Sequence, residues 1–422
     1  MSCSKVVPVL DQESDLESKE STIRDLEEAL RWAEKSISIL GPQTKSNGSR
    51  KIESWSIATT PATKVADAEE DPLFYVFNFE DNAGFSIIAA SNSVQPILAV
   101  TESGRYVPGE NTGNESFDYF MDKMIGTLSF EGIPREEYYW YGYEMVGDSC
   151  SRRVPVSWGQ SSYYFYDYDG TSHVIDYGMY CPNGCAGCAA VAIGQVMAYH
   201  KFPQTFTTSC SMGTDYSAGS SVSINWNYIN NHPANYRGND NCSPYHNSIS
   251  ALLREIGNRA SSIYYADPVN ESATPMDNIQ RAVESFGITC SSVTNYSWYQ
   301  AKYIAKRCGP VIFHAKEQQS QKWHSWVMDA YKDYTYSYCR YERAVGDGSV
   351  PIVTRRQVLE DVHLCHFNWG YYGDCNGWFA IGEYDTDDAD SFDDDHTYNL
   401  NLHFSDADIK MTIIGNSSDI LL

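Results

Sequence analysis

Cys188 stands where a thiol could be chemically useful. It lies in the stretch GCAGCAAVAIGQVMAYHKFP (residues 184–203), where Ala189, Ile193, Val196 and Met197 trace one helical face and Ala192 and Tyr199 make a second face apolar. A helix apolar on nearly all sides is a buried one. Gly184 and Gly187 upstream and Pro203 downstream bracket it, so the spacing predicts a helix from near Cys188 to near Lys201. The sulfur then sits at the helix N-terminus, where unpaired amide N–H groups and the positive end of the dipole favour thiolate over thiol. This reading makes Cys188 a nucleophile, which needs a base beside it and a group to orient that base.

The chain has ten histidines. His324 sits in KWHSWVMDAY, just ahead of a strand-like run at 325–331. His366 lies in HLCHFNWGYYGDCNGWFAI, where Asn368-Trp369-Gly370 follows a strand and precedes a glycine-rich turn and a second strand at 378–381. A histidine heading one strand and an asparagine ending its neighbour can converge on a helix N-terminus. His200, a helix length from the sulfur, reads as structural. Cys185-Ala186-Gly187-Cys188 also reads as a redox pair or half a zinc site. No second Cys-x-x-Cys follows, and Cys185 is expected to pair with another thiol such as Cys181. The aspartate-rich run at 385–395 reads as a solvated loop, with a bound calcium ion as the alternative.

These groups need a fold to hold them, and 422 residues favour two domains over one. A formal charge of −25 opposes binding to nucleic acid or an anionic membrane surface. No apolar run is long enough to span a bilayer, and the chain opens without a signal peptide. Twelve cysteines are present, and apart from Cys3 all lie from Cys150 onward. Without Cys188, those after residue 149 are even in number, so disulfides and export to an oxidising compartment are expected. The opening Met-Ser-Cys-Ser-Lys looks like a bacterial lipoprotein just after its signal peptide, with Cys3 bearing lipid; the alternative is an ordinary cysteine on a disordered start.

Residues 1–20 read as a disordered lead-in. A helical stripe follows at 21–40, ended by Gly41-Pro42, and residues 43–72 hold at most one strand. LFYVFNFE, the turn DNAG and FSIIAAS predict a hairpin, PILAV a further strand, and residues 116–127 a short helix. Residues 21–150 thus form a small α+β module. GDSCSRRVPV offers Arg152 and Arg153 as an exposed linker and protease target, which sets a boundary near Arg153. The second module, 151–422, contains the Cys188 helix, helices at 247–260 and 276–286, and a strand-rich C-terminal third.

Read together, several motifs resemble the streptopain family of papain-fold cysteine peptidases. They are Cys188 to His200 followed by Pro203, His324 with VMDAY after it, and NWG followed by G-x-x-x-G-W-F. Trp158-Gly159-Gln160, Asn225-Trp226-Asn227 and the AVESFG helix are similar too, and LFYVFNFEDNAGFSIIAASNSVQPILAVTESGRY resembles that family's propeptide. The resemblance implies an α+β fold: a papain-like catalytic domain, its central helix packed on an antiparallel sheet, preceded by a small α+β propeptide. It implies Cys188 as nucleophile, His324 as its imidazole partner, and Gln160 as a side-chain donor to the oxyanion beside the Cys188 backbone N–H. Asn368 or Trp369 would orient and cover the imidazole. Trp323 and Ser325-Trp326 depart from the glycine-flanked histidine usual in the family.

The function implied is a secreted or surface-anchored endopeptidase made as an inactive precursor, with its own propeptide as inhibitor, protein or peptide substrates, and neither cofactor nor metal. One alternative is a catalytically silent relative that binds a host protein or peptide, suggested by the tryptophans beside His324 and the acidic surface. Another keeps the thiol chemistry on a different substrate, as in transglutaminases or cell-wall amidases.

Overall fold

The computed structural model describes residues 23–40, 50–59, 72–91, 95–128, 149–150, 154–166, 172–231, 243–265, 272–316, 323–344, 352–380 and 409–415. The lead-in with Cys3, the Arg152-Arg153 pair and the aspartate-rich run lie outside them.

Helix α1 (Leu26–Ile37) starts later than its apolar stripe because Ile23 is spent on a bridge to Ser91, while the Asp25 carboxylate caps the helix by accepting from Glu28 N–H at 2.8 Å. Strands β1 (Ile52–Thr59), β2 (Pro72–Phe79), β3 (Phe85–Ala89) and β4 (Ile97–Thr101) then form an antiparallel meander, followed by α2 (Glu115–Leu128). Residues of β2 alternate between two buried faces. Phe74 and Val76 pack with Phe117 and Phe120 of α2, whereas Tyr75 and Phe77 pack with Ala29 and Trp32 of α1.

The first module ends on β5 (Ser149–Cys150), and the second opens with the hairpin β6 (Ser162–Tyr166) and β7 (Ser172–Asp176), then α3 (Cys188–His200). Strands β8 (Thr205–Thr207) and β9 (Ser221–Ser223), α4 (Trp226–Asn231) and α5 (Ser243–Arg259) follow. After β10 (Ile263–Tyr264), β11 (Ser272–Ala273), α6 (Ile279–Glu284), β12 (Thr289–Cys290), β13 (Thr294–Asn295) and α7 (Trp298–Arg307) comes the main sheet. It is built from β14 (Val311–Lys316), β15 (Trp323–Ala344), β16 (Ile352–Asn368), β17 (Gly377–Ala380) and β18 (Ile409–Gly415). Helix α3 packs on one face, its Val191, Ile193 and Val196 clustering with Ile312, Val327 and Ile414. Fully burying each such aliphatic side chain contributes about 1.5–3 kcal/mol. The opposite face carries α2 and α7.

The sheet does not stop where the modules meet. Strand β4 pairs antiparallel with β17, Val100 opposite Trp378, so among the described residues one twelve-stranded sheet runs in the order β1-β2-β3-β4-β17-β16-β15-β14-β18-β12, with β5 on β15 and β13 on β18. Gly377 permits this seam, since a Cβ there would lie 2.4 Å from the Val100 carbonyl oxygen.

The expected disulfides are not found among the described residues. Cys181, Cys210, Cys290, Cys365 and Cys375 are free thiols, and Cys150 donates to the Ala305 carbonyl at 3.2 Å. Most serve as small buried hydrophobes, which the even count could not distinguish from bridge partners.

Candidate active site

The Cys188 helix begins as its sequence requires. Gly187, at the N-cap, has φ 90°, and a Cβ there would meet Ser272 Oγ at 2.4 Å. No side chain caps the helix, so the first-turn amides remain directed at the Cys188 end. Every residue from Ala189 to Ala198 is buried, whereas Cys188 is partly exposed. The thiol is thus carried at the start of a rigid, buried helix by a residue that is itself partly exposed. Cys181 and Cys290 lack this setting: burial pushes each up to about 12, which keeps them as thiols.

Strand β15 begins at Trp323, earlier than its sequence suggests, and takes in His324 as its second residue. Cys188 Sγ lies 3.8 Å from the Trp323 carbonyl oxygen, so the sulfur stands against the residue immediately before the histidine. His324 is 6% exposed and pairs in register with Ala315. The neighbouring Ser325 hydroxyl lies 2.8 Å from His314 Nδ1, whose Nε2 reaches Thr412 Oγ1 at 3.0 Å. Burial drives His314 down to about 3, so this second imidazole is neutral and braces the strand.

Gln160 is drawn to the same place from the other side. Its carbonyl accepts from Ala186 N–H at 2.7 Å, two residues before Cys188, and Cys185 Sγ lies 3.7 Å from its Oε1. Cys185 therefore faces Gln160 instead of pairing with the free thiol of Cys181.

Asn368 and Trp369 are buried, and their side chains diverge. The Asn368 amide donates to the Val156 carbonyl at 2.8 Å and accepts from Gly370 N–H at 3.2 Å. The Trp369 indole donates to the Cys375 carbonyl at 3.0 Å and packs on Trp326 at 5.3 Å, within the cluster that includes α2. Strand alternation puts His324 on the same face of β15 as Trp326. His200 lies at the far end of α3 with Nε2 2.8 Å from the Ile414 carbonyl, a structural position.

One buried polar cluster escaped the sequence reading. His366 Nδ1 lies 2.6 Å from Asp329 Oδ1, its Nε2 3.5 Å from Glu102 Oε1, and Asp329 Oδ2 accepts from Val154 N–H at 3.3 Å. His366 and Asp329 are fully buried, and Glu102 arrives from the first module just beyond β4. Burial disfavours the imidazolium, but the two carboxylates more than offset it and hold His366 above its ordinary value.

Residues 158–379 match the Peptidase C10 family, and residues 19–124 match the family described as Spi protease inhibitor. This chain belongs to the Peptidase C10 family. Among solved structures it is similar to a prointerpain A fragment of Prevotella intermedia, at 18% identity, a TM-score of 0.48, and coverage of 85% of this chain and 98% of that one. The active wild-type interpain A cysteine protease of the same organism is similar at 17% identity, TM-score 0.36, and coverage of 63% and 94%. No curated protein matches the chain. This C10 peptidase is a cysteine endopeptidase that carries an inhibitor-type propeptide domain ahead of its catalytic part, with the α+β architecture the resemblance implied. Among the described residues, no helix is long and apolar enough to cross a membrane.

Proposed function

We propose that this C10 peptidase cleaves proteins or peptides with Cys188 as nucleophile, His324 as its imidazole partner and Gln160 as oxyanion donor. The observation that carries the reading is the meeting of three elements at one helix end. Cys188 opens an uncapped α3, its Sγ lies 3.8 Å from the carbonyl before His324, and Gln160 is tied to Ala186 in the turn leading to it. The thiolate attacks the peptide carbonyl carbon, and the oxyanion takes N–H groups from Gln160 and the Cys188 backbone. As the C–N bond breaks, His324 passes its proton to the leaving amine. It then takes a proton from the water that hydrolyses the thioester. Trp369, on the His324 side of the sheet, supplies apolar cover, and Asn368 holds the Gly370 turn to Val156.

The reading extends to the precursor. Residues 21–150 act as propeptide and inhibitor of residues 151–422, and cleavage at Arg152-Arg153 separates them. We place the enzyme outside the cell because members of its family are typically secreted.

Trypsin treatment of the purified chain, followed by an epoxide active-site label and casein digestion, tests this. Cys188 should carry the label, and Cys188→Ala should abolish casein cleavage while leaving the circular dichroism spectrum unchanged. A Cys188 that stays unlabelled after processing would instead indicate the silent peptide-binding relative.

A further inference from the structure

We propose that Tyr372 positions Gln160 for oxyanion binding, an inference that rests on the oxyanion role given to Gln160 above. Beyond Asn368 the chain turns through Trp369, Gly370 and Tyr371 and brings Tyr372 back against residues 158–161. Backbone, ring and hydroxyl of this one residue each hold a different part of that segment. Tyr372 N–H donates to the Trp158 carbonyl at 3.4 Å. Its ring lies so close to Gly159 that a Cβ there would sit 2.1–2.4 Å from ring carbons, which is why the position must be glycine. Its phenol oxygen accepts from Ser161 N–H at 3.2 Å and donates to the Ser161 carbonyl.

Gln160 is the residue at the centre of this grip. On its opposite side, Ala186 N–H holds its carbonyl at 2.7 Å, and Cys185 Sγ lies 3.7 Å from its Oε1. The side-chain oxygen is thereby occupied and the amide N–H₂ left as the donor end. Fixing such a donor before the reaction matters, because stabilisation of developing charge depends on donors that need not reorganise.

Tyr372 is itself tightly determined. It adopts φ 56°, a left-handed conformation that is costly for a non-glycine residue and persists only where the surroundings impose it. Tyr163 and Tyr177 flank its ring at 4.7 and 6.0 Å. Burial pushes the phenol above its ordinary range, so the hydroxyl keeps the proton it donates to Ser161.

The test compares wild type, Tyr372→Phe, Gln160→Ala and the double variant, each made as the full chain and processed by trypsin. Kinetics on a peptide substrate are read beside the rate at which iodoacetamide alkylates Cys188, a displacement that forms no oxyanion. Tyr372→Phe is expected to lower kcat roughly tenfold with KM within about twofold, since full loss of an oxyanion donor costs about 10²–10³. The alkylation rate should stay unchanged, and in the Gln160→Ala background Tyr372→Phe should add nothing. An unchanged kcat, an equal fall in alkylation, or a fully additive double variant overturns the positioning role and leaves the Gln160 assignment standing. If Gln160→Ala itself leaves kcat unchanged, the assignment fails and the inference fails with it.

Discussion

Gly187 decides whether Cys188 can open its helix. At φ 90°, with Ser272 Oγ where a Cβ would go, any side chain there forces the turn to move. Gly187→Ala should destabilise the protein by about 1–3 kcal/mol. It should also slow alkylation of Cys188, because the sulfur would leave the helix axis; thermal denaturation and iodoacetamide kinetics together check this. At this scale the sequence was informative wherever the cause is local. Apolar periodicity and flanking glycines marked the helix under Cys188, and its observed span matches. Tyr372 was illegible, because its partner Ser161 lies 211 residues away and nothing in the sequence near either predicts the contact. The same holds for Asn368, whose amide reaches Val156 across 212 residues.

Between elements, the seam of β4 and β17 carries its own charge chemistry. Glu102, just past β4, stands 3.5 Å from His366 and is the acidic group that Lys332 and Arg50 also feel. Asp329 holds the other side of His366 from within the peptidase sheet. Because His366 is raised above its ordinary value of 6.5, the stabilisation it provides is fully present below that value and is lost as pH rises through the raised one. Only the Glu102 share of it departs with the first module. In the nicked protein, retention of the first module should therefore weaken as pH rises from mildly acidic toward alkaline. Glu102→Gln should flatten that dependence, as size-exclusion chromatography of the nicked protein across pH would register. A retention profile unaltered by the substitution would remove Glu102 from the linkage. The hairpin was legible as a pair, and PILAV and the post-NWG strand as separate strands, yet the pairing of these last two was not, because β4 and β17 come from distant parts of the chain and only the closed sheet sets their register.

Across the whole molecule, the two modules share one sheet and one core. Phe117 and Phe120 of α2 meet Trp369 at 6.1 and 5.7 Å, so the first module covers the tryptophan of the Asn-Trp-Gly turn. Phe120→Ala should cost about 3–5 kcal/mol, mostly at this junction. Processed variant enzyme should then shed its first module and gain activity faster than wild type, measured as the lag before peptide hydrolysis. The boundary near Arg153 was an expectation from linker composition, and nothing local could reveal that one sheet joins strands from both sides of it. Its cysteine count likewise suggested cross-links, whereas burial in apolar surroundings is the other common fate of that side chain. Scission near residue 153 breaks none of the contacts along β4, Glu102 or α2. What it changes is a concentration: a tethered first module meets its partner surface at an effective concentration on the order of millimolar, and a severed one at whatever the surroundings hold. The same cut would therefore be silent in a confined volume and productive after release into a large one, with dilution, not cleavage, ending the inhibition.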